Sequence, residues 1–163
     1  MKKRLLPLLF ALLLIACAAP KGQVYQGALF DAALPEGFRP VENATVLCFA
    51  PYGDPILNSS ITCYTTESNW YFDRFTDVDY EQALKDAGYE IVSFDDVTVC
   101  KVDGFDARRI ACTVAIDQGA HTLIVYAVSA DKTYFFTLLN REDDAFVEPF
   151  DDMMRTLHLK GAV

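Results

Sequence analysis

Residues 108–139 read RRIACTVAIDQGAHTLIVYAVSADKTYFFTLL, and this stretch decides the fold. Apolar side chains recur at every second position of residues 108–116, which is the period of a β-strand. Residues 121–128 and 133–139 continue with β-branched, aromatic and leucine side chains. The links between these segments are too short for a crossover helix, so we predict that the three strands are antiparallel neighbours.

The residues before this stretch extend the predicted sheet. Asp103-Gly104 lies between two alternating runs and indicates a hairpin, which adds residues 97–102 as a fourth strand of the meander. Further strand-like runs are residues 29–34, 44–50, 60–66 and 90–94.

Two helices are predicted to cover the sheet. The first begins at Asp79, with Gln82 completing a capping box, and ends at Gly88. In the second, apolar side chains recur with helical spacing over residues 146–157, and Pro149 lies near its start or kinks it. The predicted fold class is therefore α+β, an antiparallel β-sheet meander flanked by helices.

The first 16 residues have the pattern of a targeting signal. A basic leader precedes an apolar run, residues 5–15, which is shorter than the roughly 20 residues of a membrane-spanning helix. The run ends in Leu14-Ile15-Ala16-Cys17 and resembles a bacterial lipoprotein signal, which implies cleavage before Cys17 and acylation of its sulfur. An ordinary secretory signal cleaved near Ala19 is the alternative. We predict a signal peptide (1–16), a lipidated tether (17–27) and one domain (28–160).

The chain after residue 16 is strongly acidic. The leader holds three of the 14 basic residues and none of the 23 acidic ones, which leaves 11 basic against 23 acidic side chains and a formal charge of −12. This charge disfavours nucleic acid as a partner, since phosphate binding needs clustered lysine and arginine. It also disfavours electrostatic attachment to anionic lipid, so the acyl chains on Cys17 are the predicted membrane contact.

Four cysteines lie beyond Cys17, and an even count in an exported domain predicts disulfides. We expect Cys48 to pair with Cys63 and Cys100 with Cys112, because each pair would lie on neighbouring antiparallel strands. The alternative is four reduced thiols that pack in the core as small hydrophobic side chains. The spacings contain no Cys-x-x-Cys pair, which disfavours a zinc or thioredoxin-like site.

An aromatic segment precedes the first predicted helix. Trp70, Tyr71, Phe72 and Phe75 fall where the sequence loses its periodicity. If this segment is a loop over the sheet edge, its rings would serve as anchors for a protein or peptide partner, since tryptophan and tyrosine are enriched at binding hot spots. The alternative is that the rings cap the hydrophobic core at the start of the helix.

The sequence favours no catalytic or metal site, and no cofactor is predicted. His121 and His158 have no local partner at ligand spacing, and no Gly-x-Ser-x-Gly elbow is present. The acidic groups at residues 77–79, 95–96, 142–144 and 151–152 do not follow the spacing of an EF-hand. We interpret them as solvated faces and as carboxylates at helix N-termini.

The order of the elements resembles that of PsbP-like domains. The residues that carry the resemblance are LPEGF (34–38), VDGFDAR (102–108) and a final helix that ends near TLHL (156–159). The resemblance to this PsbP-like and DcrB-like superfamily implies an α/β/α sandwich on an antiparallel sheet. It also implies binding to other proteins or complexes, as in extrinsic photosystem subunits, a nuclear-import cofactor and many bacterial lipoproteins, without common catalytic residues. The four mature cysteines are not part of the family pattern.

Together these observations predict a membrane-anchored extracytoplasmic lipoprotein, exposed on the cell surface or the periplasmic face. It is expected to be a non-catalytic binding or accessory module for an envelope protein or complex. Two alternatives remain open. One is a small-ligand carrier with a pocket between the sheet and the C-terminal helix, and the other is a small cell-envelope hydrolase that uses the acidic groups.

Overall fold

The computed structural model describes residues 22–51, 55, 58–67 and 72–162. In chain order its strands are β1 (Val24–Gln26), β2 (Phe30–Ala33), β3 (Arg39–Pro40), β4 (Leu47–Ala50), β5 (Ser60–Thr66), β6 (Glu90–Val102), β7 (Phe105–Ile116), β8 (Gly119–Ser129), β9 (Thr133–Asn140) and β10 (His158–Leu159). The helices are α1 (Asp77–Asp86) and α2 (Val147–Thr156), and a 3₁₀ turn (Phe72–Arg74) precedes α1. Neither helix is long and apolar enough to cross a membrane.

Seven strands form one antiparallel sheet in the order β3-β4-β5-β9-β8-β7-β6. The predicted meander is confirmed, because β6 to β9 pair one after another along the chain. Asp103-Gly104 turns β6 into β7 with φ angles of 50° and 83°, and Asp117-Gln118 turns β7 into β8 with φ angles of 51° and 65°. Two successive positive φ angles give a hairpin turn whose twist matches that of the flanking strands.

β6 is one strand of 13 residues, where the sequence pattern predicts two. Its register against β7 shifts between Ile91 and Ser93 and again between Phe94 and Asp96. Val92 and Asp95 are the extra residues at these two β-bulges. The bulges interrupt the period-two alternation, which is why the pattern divides into two runs. In the described part of the chain β6 ends the sheet, with β7 as its neighbour.

One face of the large sheet is covered by α2 and by a small sheet of β1, β2 and β10. Phe150 and Met153 of α2 are fully buried and belong to the same core cluster as Phe30 of β2 and Phe136 of β9. The rings of Phe30 and Phe136 meet edge to face with centroids 5.1 Å apart. β1 lies within residues 17–27, the predicted tether, so the folded region extends back to at least Val24.

The opposite face is covered by α1, which begins two residues before its predicted start. Thr76 is the N-cap, and Asp79 is the third helical residue. The Asp79 carboxylate accepts hydrogen bonds from the backbone N–H and the hydroxyl of Thr76, each at 2.7 Å, and the backbone bond is the main reason that its pKa is lowered. Gly88, with a φ of 94°, follows the helix as predicted.

α1 is short in relation to the sheet that it covers. A helix of ten residues is about 15 Å long. Seven strands at about 4.8 Å spacing span roughly 29 Å between the outer two. Tyr80 and Leu84 of α1 bury themselves in a second core cluster with Ile110, Val125 and Phe135 of the sheet. The helix therefore covers only part of this face.

The cysteines that the sequence analysis pairs are free thiols, and the predicted pairing is wrong. Cys48 lies opposite the residue that precedes Cys63, so these two side chains point to opposite faces of the sheet. Cys100 lies opposite Ala107, which is five residues, or about 17 Å, from Cys112 along β7. A disulfide needs Cα atoms within about 7 Å of each other and side chains that face one another. Neither pair meets these conditions.

Candidate functional site

The aromatic segment that the sequence singles out is only partly described. Trp70 and Tyr71, like Cys17, lie outside the described residues. Phe72 is 6% exposed, and the guanidinium of Arg108 lies 4.9 Å from the centre of its ring, so Phe72 belongs to the core as the alternative interpretation expects. Phe75 is 37% exposed, and its ring centroid is 5.7 Å from that of Tyr80.

The two histidines lie at opposite ends of the sheet. His121 pairs with Val114 near the end of β7, whereas Nδ1 of His158 is 3.0 Å from an oxygen of Asp103 in the turn before β7. No three His, Cys, Asp or Glu side chains lie together as a metal site within residues 22–51, 55, 58–67 and 72–162.

Several of the acidic side chains have structural partners. Asp79 closes the capping box of α1, and Asp96 beside the second bulge of β6 accepts a hydrogen bond from Thr98. Asp151 on α2 forms an ion pair with Arg109 on β7. These contacts stabilise a helix start, a strand irregularity and a helix–sheet contact. They give these three carboxylates a role that requires no substrate.

A groove with a volume of about 490 Å³ lies between α1 and the sheet. Its floor is formed by β5, β9, β8 and β7, and its roof by α1 and the residues that follow it. On the α1 side Ala83 and Ala87 line the groove. We attribute the space to the short length of α1 and to the small size of these two side chains above strands β5, β9, β8 and β7.

The floor of the groove carries an aromatic pair on two neighbouring strands. Tyr64 of β5 lies opposite Phe135 of β9, and their rings are stacked with centroids 4.8 Å apart and planes 12° from parallel. Phe135 is buried, whereas Tyr64 is 43% exposed. Two residues along each strand, Thr62 lies opposite Thr137. Side chains two apart share a face of a sheet, so the aromatic pair and the threonine pair lie next to each other in the groove.

Three hydroxyl groups of the groove, those of Thr62, Thr137 and Tyr80, lack a side-chain hydrogen bond among the described residues. The hydroxyl of Tyr80 is also buried. The Arg108 guanidinium is near enough to act on the pKa of Tyr80 but does not reach hydrogen-bonding geometry. Burial is the main cause that raises the pKa of Tyr64, Tyr80 and Tyr89 above the ordinary tyrosine value. The phenols of the groove therefore remain protonated at neutral pH.

The groove is poor in charge. Among the described residues that line it there is no lysine, arginine or histidine, and Asp86 is the charged one. The side-chain amide of Gln82 donates a hydrogen bond of 2.8 Å to Asp86. Small-molecule sites commonly have this composition, an apolar lining with a few polar groups that orient the ligand.

The sequence analysis did not single out any residue of this groove. A signal is nevertheless visible on one side of the strand at residues 60–66, where Thr62, Tyr64 and Thr66 alternate with the core side chains Ile61 and Cys63. Threonine and tyrosine on a face that should be buried indicate a face that is only partly covered. The roof of the groove has no comparable signal, because alanine is an ordinary helix residue.

No protein-family model and no curated protein matches the sequence. Solved structures that share its fold include the following three. Cyanobacterial PsbP (CyanoP) from Synechocystis sp. PCC 6803 is 16% identical, and the match covers 88% of this chain and 95% of that one with a TM-score of 0.61. A protein from Bacteroides thetaiotaomicron VPI-5482 is 11% identical, and the match covers 86% of this chain and 49% of that one with a TM-score of 0.57. LpqN, involved in cell envelope biogenesis of Mycobacterium tuberculosis, is 13% identical, and the match covers 88% of this chain and 87% of that one with a TM-score of 0.56. This chain thus spans about half of the Bacteroides protein. The predicted antiparallel sheet with flanking helices is confirmed.

Proposed function

We propose that this chain, which has a PsbP-like fold, is a lipid-anchored extracytoplasmic protein that acts as a non-catalytic binding module for a component of the cell envelope. The groove under α1 carries the proposal. Its volume of about 490 Å³ falls within the roughly 300–1,000 Å³ of small-molecule sites. The neighbour LpqN, which is involved in cell envelope biogenesis, supports the envelope as the place of action.

The chemistry of the groove supports binding over catalysis. The described lining contains no histidine or cysteine, and it contains one carboxylate, that of Asp86. Hydrolysis of glycosidic bonds typically needs two carboxylates, and nucleophilic catalysis needs a base beside the nucleophile. The hydroxyls of Thr62 and Thr137 have no such base beside them among the described residues.

The anchor is tested at Cys17. In cells that produce the full chain, we expect Cys17→Ser to move the protein from the membrane fraction to the soluble envelope fraction or the medium, because the sulfur that carries the lipid is lost. Cys100→Ser, which removes a cysteine of β6 and leaves the lipobox intact, should stay with the membrane. Recovery of the Cys17→Ser protein in the membrane fraction would overturn the anchor.

The binding role is tested by photo-cross-linking in living cells. A benzophenone amino acid at Tyr64, at the open side of the groove, is expected to give a specific adduct, and the same amino acid at Val92, an exposed residue of β6, is not. Adding Ala83→Phe, which fills the groove from α1, should remove the Tyr64 adduct. The proposal fails if the Tyr64 and Val92 patterns are the same, or if Ala83→Phe leaves the adduct unchanged.

The groove also favours the second candidate function, a carrier of a small ligand. The predicted site for such a ligand lay under the C-terminal helix, but Phe150 and Met153 of that helix pack directly on the sheet. The groove lies on the opposite face, under α1. The mass of the Tyr64 adduct separates the two candidates, because an accessory module would be linked to a protein and a carrier to a small molecule.

A further inference from the structure

We infer that the groove under α1 is a site for an uncharged, ring-bearing small molecule with hydrogen-bonding oxygen or nitrogen atoms. This inference rests on the proposed binding function and names the class of ligand for the same site. It follows from three properties of the described lining: an exposed aromatic face, hydroxyls without partners, and the absence of positive charge among the lining residues.

The aromatic face favours a ring. Phe135 supports one side of the Tyr64 ring at a centroid distance of 4.8 Å, and 43% of Tyr64 remains exposed. A tyrosine held flat by a stacked neighbour offers a rigid surface, on which the ring of a ligand would stack with little loss of side-chain freedom. Ile110 and Val125 provide an apolar floor beside it.

The hydroxyls favour a ligand that also carries polar atoms. Thr62 and Thr137 lie opposite each other on the floor, and their hydroxyls make no side-chain hydrogen bond among the described residues. Small-molecule sites use a few such polar groups to orient a ligand, so these two hydroxyls would bond its oxygen or nitrogen atoms. The hydroxyl of Tyr80 is enclosed beside the Arg108 guanidinium and would be reached only after a side-chain movement.

The charge of the region disfavours anionic ligands. Four acidic residues lie on α1, and none of the described lining residues carries a positive charge. Arg108 beside Tyr80 already pairs with Asp73 at 3.7 Å, and Lys85 of α1 pairs with Glu81. A carboxylate, sulfonate or phosphate inside the groove would therefore lose its hydration without meeting an unpaired positive charge in the described lining, whereas a neutral molecule of the same size would not bear this cost.

Two dyes with the same ring system test this inference. N-phenyl-1-naphthylamine is neutral, and 8-anilino-1-naphthalenesulfonate adds one sulfonate to the same skeleton. In a fluorescence titration of the full chain in a neutral detergent, we expect the neutral dye to bind at one saturable site. We expect the sulfonate to bind about tenfold more weakly or not at all.

Variants of α1 and β9 distinguish the groove from the micelle. Ala83→Phe should abolish the saturable signal and define the background, whereas Val78→Phe, the same side chain at an exposed position of α1, should keep it. Thr137→Val, which is nearly isosteric, should lower the affinity for the neutral dye by about two- to tenfold through loss of a hydroxyl. The variants are compared by circular dichroism, so a loss of binding is attributed to the groove only in a folded protein.

The outcomes separate this inference from the proposed function. The inference is overturned if the neutral dye binds wild type and Ala83→Phe equally, or if the sulfonate binds as tightly as the neutral dye. If that happens while the Tyr64 cross-link captures a protein, the binding function stands and the ligand class falls. If the neutral dye binds as expected but no Tyr64-specific adduct forms in cells, the ligand class stands and the proposed function fails.

Discussion

Arg109 on β7 and Asp151 on α2 form an ion pair with two hydrogen bonds. Nε of Arg109 lies 2.9 Å from Oδ1 of Asp151, and a terminal nitrogen lies 3.1 Å from Oδ2. The hydroxyl of Tyr126 on β8 donates to the same Oδ1 at 2.8 Å. The two charged side chains are only 20% and 18% exposed. This carboxylate therefore attaches α2 to two strands of the large sheet.

Loss of that carboxylate should destabilise the fold. Asp151→Ala leaves the Arg109 charge and the Tyr126 hydroxyl without their partner, and we expect the free energy of unfolding to fall by about 2–4 kcal/mol. Asp152→Ala is the matched control, because Asp152 pairs with Arg155 on the exposed side of the same helix, and we expect a change of at most about 0.5 kcal/mol. Urea denaturation measures the free energy of unfolding of both variants. Equal losses would show that the buried ion pair contributes no more to stability than the exposed one.

Glycine should be favoured in both tight turns of the meander, so removing it from one and adding it to the other should change stability in opposite directions. Gly104 has a φ of 83°, and Gly104→Ala should cost about 1 kcal/mol because a side chain disfavours the left-handed region. Gln118 has a φ of 65°, and Gln118→Gly should gain about 0.5 kcal/mol, the relief of strain less the added freedom of the unfolded chain. Thermal or urea unfolding gives the sign, and a loss in both variants would contradict the turn geometry.

The thiols should react in an order set by burial. Cys48, Cys63 and Cys112 are buried, whereas Cys100 on β6 is partly exposed. We expect iodoacetamide to modify Cys100 first in the folded protein and to modify the other three only in urea. Peptide mapping measures the order. A denatured and unreduced sample that labels fewer than these four cysteines would show that a disulfide forms after all.

Stability should decrease in the alkaline range. Burial raises the pKa of Cys63 from 9.0 to about 12, so this thiol keeps its proton in the folded chain while the unfolded chain loses it near pH 9. Because the unfolded state then binds fewer protons, the free energy of unfolding falls as the pH rises from about 9 to about 12. In Cys63→Ala the free energy of unfolding should fall less steeply with pH over this range, by the titration of one proton, or about 1.4 kcal/mol per pH unit. Urea curves at pH 8 to 11 test this, and parallel slopes would contradict it.

The part of the fold that sequence predicts is the part joined by tight turns. Strands β6 to β9 are joined by short turns, so the pattern of each strand and the turn beside it are visible in one local stretch of sequence. The turn at Asp103-Gly104 and the helix end at Gly88 lie where the sequence predicts them. The pairing of β5 with β9 joins residues 60–66 to residues 133–139, and no local pattern encodes a contact over that separation. β10 has two residues, which is too short to show any period.

The site was harder to predict than the fold, because the groove is the part of the sheet face that α1 leaves uncovered. Tyr64 and Thr62 lie on a face of β5 that the sequence shows as polar and aromatic, but the groove depends on where α1 ends and on the small size of Ala83. The cysteine pairing was wrong for a related reason. Two cysteines on adjacent strands can form a disulfide only if the register places their side chains on the same face. The local sequence does not encode the register of Cys48 against Cys63.

The bulged edge of β6 limits how copies of this protein meet. A straight and open strand of 13 residues would be a template on which a second copy adds its own strand, the first step toward a fibril. Val92 and Asp95 distort the backbone on this edge, and Asp95 with Asp96 would bring like charges together across any such seam. Edge-to-edge pairing of β6 between copies should therefore be disfavoured, even where many copies are held close together on a surface.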